Sequence, residues 1–103
     1  MITRDSTLFN NYLEMTKSRV FKILPLLEEN NEGLYQYIDS LLFELYGIQY
    51  VIKDVKGSYP YLSVLATLES MLDETITNNR EHLFIRSEVF KMMTLLERLQ
   101  KGE

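Results

Sequence analysis

The chain contains no cysteine, a single histidine (His82) and a single alanine (Ala66), with two prolines and four glycines among 103 residues. Without cysteine there is no disulfide frame, no thiolate metal site and no thiol nucleophile, and the omission suits a reducing compartment. So few prolines and glycines leave room for about three loop breaks and little else. Apolar runs are also short: none approaches the roughly 20 residues needed to span a bilayer. The start, Met1-Ile2-Thr3-Arg4-Asp5-Ser6, lacks the basic-then-apolar run of a signal peptide. A cytoplasmic protein with no membrane role is the expectation.

What is present is ordinary in bulk. A hydrophobic share of 46% and a charged share of 25% belong to a folded chain rather than a disordered one. At this length one core is affordable, so residues 1–103 read as one domain. Asn, Ile, Lys, Tyr, Phe and Met, all with AT-rich codons, make up about a third of the chain. That bias fits a low-GC bacterium, a phage or a genomic island.

The net charge of −4 is unevenly spread. Residues 1–22 carry four basic and two acidic side chains, and residues 80–103 five basic and four acidic. Residues 23–79 carry only Lys53 and Lys56 against nine acids. No segment concentrates the cations that phosphate contacts need, so nucleic acid is not an expected partner.

Apolar residues recur at alternating steps of four and three. Leu34, Ile38, Leu41, Leu45, Ile48, Ile52 and Val55 form one such seam without a miss. Phe9, Leu13, Thr16, Val20, Ile23 and Leu27 form another, as do Tyr61, Leu65, Leu68, Leu72 and Ile76, and Ile85, Val89, Met92, Leu96 and Leu99. The spacing predicts helices over about 6–27, 32–55, 59–77 and 80–100. Asp5 or Ser6 caps the first, and Pro25 kinks or breaks it by removing a donor and crowding the Phe21 carbonyl. Asn30-Asn31-Glu32-Gly33, Gly57 and Asn78-Asn79 supply the breaks, and Pro60 falls in the tolerated first turn of the third helix. Short connections between long helices give an antiparallel up-down-up-down four-helix bundle.

Catalytic constellations are sparse. His82 lies on the seam of the last helix, and Glu81-His82-Leu83-Phe84-Ile85 lacks the His-x-x-Lys-Gly pattern of histidine phosphotransfer bundles, so a structural histidine is expected. Glu-x-x-His pairs for a bundle di-metal site are missing. All-α nucleotide pyrophosphohydrolases hold Mg²⁺ with two acidic pairs, and Glu29, Glu32, Glu69 and Asp73 imitate these with one pair astride a break. Isolated glycines form no phosphate loop. The expectation is therefore no enzyme, no cofactor and no metal, with a metal-dependent pyrophosphohydrolase as one alternative. A toxin- or bacteriocin-immunity bundle is another, although members that act at membranes tend to be basic.

The second helix stands out. Six of the seven tyrosines fall between positions 35 and 61. Beside its seam it carries Tyr35, Leu42, Phe43, Tyr46 and Tyr50, an apolar arc far wider than the roughly 100° that a bundle helix needs. Tyrosine brings area and a polar handle together where proteins meet. Tyr35, Phe43, Tyr46 and Tyr50 are thus the expected partner-binding residues of a small regulator, inhibitor or assembly factor, with a homodimer as one use of the same surface. Gly47, in the narrow polar sector, either lets another backbone come close or is simply tolerated.

Overall fold

Helix α1 (Ser6–Phe21) leads through Lys22 into α2 (Ile23–Glu28), and three longer helices follow: α3 (Leu34–Ile48), α4 (Tyr59–Ile76) and α5 (His82–Gln100). A computed structural model describes residues 6–52, 55, 57–76 and 82–101. With α1 and α2 forming one bent column, the chain is an antiparallel four-helix bundle with approximate dimensions 39 × 21 × 19 Å. Long-range polar contacts fix the directions. Arg19 on α1 meets Glu44 near the end of α3, and the Tyr61 hydroxyl at the start of α4 donates to the Leu45 carbonyl. Arg86 early on α5 meets Glu28 at the end of α2, while Lys17 on α1 reaches Gln100 at the end of α5.

The seams meet in one core. Leu13, Val20, Ile23, Leu34, Ile38, Leu68, Ile85, Val89, Met92 and Leu96 have no accessible surface. Thr16, the one polar seam residue, is equally buried and donates its hydroxyl to the Tyr12 carbonyl at 2.9 Å. That bond removes the cost of burying an unpaired hydroxyl.

The bend falls at Lys22, one turn before Pro25. A proline has no N–H to offer the carbonyl four residues back, so Phe21 loses its helical partner and the helix yields there. The neighbouring Leu26 N–H to Lys22 carbonyl contact is stretched to 3.5 Å. Helix α2 then ends on a Schellman motif. The Asn30 N–H donates to the Leu27 carbonyl at 3.1 Å and the Asn31 N–H to the Leu26 carbonyl at 3.0 Å, with Asn30 left-handed at φ 51°. The Asn31 side chain accepts from the Gly33 N–H at 2.7 Å and closes the turn into α3.

One boundary is corrected. The seam predicts a second helix over 32–55, whereas α3 runs only from Leu34 to Ile48. Past Ile48 the ladder tightens, with Tyr50 N–H on the Gly47 carbonyl and Val51 N–H on the Ile48 carbonyl. Gly47 and the aromatic and β-branched run Tyr50-Val51-Ile52 are weak helix formers. Gln49 turns its N–H to the Gly47 carbonyl, and the Tyr61 hydroxyl occupies the Leu45 carbonyl instead. The seam residues beyond still serve the core: Val55 is fully buried and Ile52 packs against it from a turn. Gly57 takes the left-handed conformation at φ 87°, and α4 begins at Tyr59 with Pro60 in its first turn. Asp5, Asn78 and Asn79, the other expected cap and break residues, lie outside the described residues, as do positions 77 and 80 where the third and fourth helices were expected to end and begin.

Candidate docking surface

Helix α3 is gripped on both flanks by polar contacts that its tyrosines and one glutamate make. Toward α1, Glu44 Oε2 accepts from Arg19 Nη1 at 2.6 Å and from the Tyr12 hydroxyl at 2.8 Å, and the Tyr37 hydroxyl donates to the Arg19 carbonyl at 2.9 Å. The Arg19 guanidinium holds the Glu44 carboxyl below the usual range, while burial, then the bond to Glu44, pushes the Tyr12 phenol upward. Toward α4, the Tyr46 hydroxyl donates to Glu69, which raises the Tyr46 phenol, and Tyr61 is anchored on Leu45.

Between these flanks lies the outer side of α3. Phe43 is 80% exposed and Tyr50 is 72% exposed, with Tyr46 and Gly47 between them. Phe43, Tyr46 and Gly47 lie three and four residues apart on one stripe of α3, and Tyr50 continues it from the turn that follows Ile48. Leu42, next to Phe43, turns the other way and is buried. Tyr35 is half-buried in the first turn of α3, about three turns from Tyr46. The structure therefore gathers Phe43, Tyr46 and Tyr50 and leaves Tyr35 apart.

The stripe is wider than the sequence implies. Leu62 is exposed and lies two turns before Glu69, on the flank of α4 that faces α3. Tyr59 and Val51 are exposed at the α3–α4 connection. On α1, exposed Leu8 and Met15 lie four residues before Tyr12 and Arg19, hence on the flank that faces α3. The start of α1, the end of α3 and the start of α4 meet at one end of the bundle, so these residues share a face and an end. Phe43, Tyr46, Tyr50 and Tyr59 alone leave about 500 Å² of aromatic residue in water. With their aliphatic neighbours the face approaches the roughly 800 Å² that each partner buries in a standard interface. Other large exposed apolar side chains described are Phe21, one turn from Lys17 on the α5 side, and Phe90, whose ring lies 6.0 Å from the Arg86 guanidinium carbon. On the last helix, Met92 is buried, and Phe84 and Met93 pack against the core from its edge.

Gly47 has open space around it: a Cβ built there meets nothing within 4 Å. Among the described residues no contact requires glycine at this position.

A shallow groove of about 240 Å³ between α4 and α5 is lined by Ser63, Ala66, Thr67 and Ser70 opposite Phe84, Glu88 and Lys91. Glu29 caps α2 and Glu32 lies in the following turn, so the acidic pair of the hydrolase alternative shares no helix. Among the described residues no group of three or more His, Asp or Glu is arranged to hold a metal ion, and no helix is long and apolar enough to cross a membrane. His82 opens α5; its side chain lies outside those described.

The class that fold and surface define is a four-helix bundle with an outward aromatic stripe on its second long column. Comparison with protein-family models, curated proteins and solved structures finds no match for this chain.

Proposed function

We propose that this protein is a binding module that docks the outer face of α3, with Phe43, Tyr46 and Tyr50 at its centre, on a protein partner. The observation that carries the reading is the exposure of that stripe. Phe43 on α3 and Tyr50 in the turn that follows it are among the most exposed apolar residues described, and the inner side of α3 is fully used by the core. Monomers rarely leave contiguous apolar surface of this size without a use. Tyr46, tied to Glu69 yet still partly open, gives the face a rigid aromatic of the kind that concentrates binding energy. The absence of cysteine and the abundance of residues with AT-rich codons suit a small cytoplasmic regulator, inhibitor or assembly factor of a low-GC bacterium or its mobile elements.

The face also has enough area for a second copy of the chain, so self-association belongs to the same reading. The test compares the full chain with a Phe43→Ser, Tyr50→Ser variant. Loss of a co-purifying protein or of a light-scattering dimer, with melting unchanged, supports the docking role. Unchanged association in the variant would remove it.

A further inference from the structure

We infer that the occupant of this face is a cationic amphipathic helix of another protein, lying along the α3–α4 groove. The inference rests on the docking role proposed above and adds the partner's chemistry. Neither α3 nor α4 contains a single lysine or arginine, while together they carry Asp39, Glu44, Glu69, Asp73 and Glu74. Glu44 is neutralised by Arg19 on the α1 side. Asp39 and Asp73 are exposed, Glu69 takes only a tyrosine hydroxyl, and none of the three has a cation within 4.0 Å among the described residues.

Their placement matches the aromatic stripe. Asp39 lies one turn before Phe43, and Asp73 lies one turn beyond Glu69 on the facing flank of α4. Because the two helices run in opposite directions, Asp73 comes level with the early half of α3, where Asp39 stands. The face therefore grades from aromatic at Tyr50 and Tyr46 to carboxylate at Asp39 and Asp73, over about 16 Å. A helix of three to four turns matches that length, with apolar side chains over Tyr50, Gly47 and Phe43 and a lysine or arginine between Asp39 and Asp73. The open space at Gly47 lets its backbone come close. A second copy fits less well. Twofold pairing of this face with itself would either oppose like carboxylates or, with the helices antiparallel, lay Asp39 and Asp73 over the aromatic end. In neither case do they gain a cation, and a non-symmetric pairing would not close.

The probe is a synthetic Leu/Lys amphipathic peptide of about 18 residues, titrated calorimetrically into the full chain beside a Leu/Glu peptide of the same length and apolar pattern. The Leu/Lys peptide should bind, the Leu/Glu peptide about tenfold or more weakly, and the preference should shrink between about 50 and 300 mM salt. Asp39→Asn with Asp73→Asn should weaken Leu/Lys binding about fivefold, and Phe43→Ser with Tyr50→Ser should abolish it. Equal affinity for both peptides, or indifference to the two asparagines while the serine pair still abolishes binding, overturns the cationic partner and leaves the docking face standing. A dimer that the serine pair dissolves, with no peptide bound, assigns the face to a second copy and likewise overturns it. Leu/Lys binding that the serine pair does not touch, with no other association lost, sinks both readings.

Discussion

Glu44 Oε2 accepts two donors from α1 at once, Arg19 Nη1 at 2.6 Å and the Tyr12 hydroxyl at 2.8 Å. One carboxylate oxygen thus ties α3 to two points of α1 that lie two turns apart, beside a core that is almost wholly apolar. The polar side of α3 is a clasp rather than idle surface.

Replacing Glu44 by Gln should lower stability by about 1 kcal/mol at neutral pH, a modest figure because the pair is partly open to water. The folded protein holds the Glu44 carboxyl below its ordinary value, so its contribution is present above the unfolded carboxyl range near pH 4.3 and fades as pH falls through the lower folded value. The gap in urea midpoint between wild type and Glu44→Gln should therefore close between about pH 5 and pH 3. A gap that persists unchanged at pH 3 would mean that charge is not what the clasp contributes.

Tyr61 is anchored at the end of α3. Its buried hydroxyl takes the Leu45 carbonyl, which the Gln49 N–H does not reach. Tyr61→Phe should cost about 1–2 kcal/mol, since it orphans a buried acceptor while leaving the packing almost intact. Burial raises the Tyr61 phenol above its ordinary value near 10. A group shifted upward stabilises below its unfolded value and loses that contribution as pH rises beyond it. Alkaline melting curves should thus show the Tyr61→Phe difference shrinking above about pH 10.

The seams read directly from the sequence because each runs along one helix, and Phe9, Ile38, Leu68 and Ile85 stand where spacing puts them. The second seam misleads only beyond Ile48. Ile52 and Val55 keep helical spacing, but a turn delivers them to the core. Where the helix ends, the Tyr61 hydroxyl occupies the Leu45 carbonyl, a contact across 16 residues that no periodicity records. The candidate face was half legible. Phe43, Tyr46 and Tyr50 share a stripe that a helical wheel shows, whereas Leu8, Met15 and Leu62 join it only through the packing of α1 and α4 on either side. Tyr12 and Tyr37 carry no local mark that distinguishes a clasp from a docking residue, since both roles use the same amphipathic side chain.

Asn30 ends α2 in the left-handed region at φ 51°. Asparagine tolerates that conformation and alanine resists it, so Asn30→Ala should destabilise by about 1 kcal/mol. Asn30→Gly should be neutral or slightly stabilising. Thermal melts of the two variants separate the explanations: equal losses would point to the side chain, whereas a loss confined to alanine points to the backbone.

Phe43 and Leu45 are two residues apart and should behave as opposites. Leu45 is 1% exposed, so Leu45→Ala removes core and should cost about 2–5 kcal/mol. Phe43 faces solvent, and Phe43→Ala should leave stability within about 0.5 kcal/mol while weakening partner capture. Gly47→Ala sharpens the contrast. With open space at the new methyl and a helix former in place of glycine, it should raise stability by up to about 1 kcal/mol. If a partner backbone lies over that position, the same methyl should reduce binding. A variant that melts higher yet captures less would locate the partner over the last turn of α3. One that melts higher and captures equally would move the contact away from Gly47, toward the flanks at Leu62 or Met15.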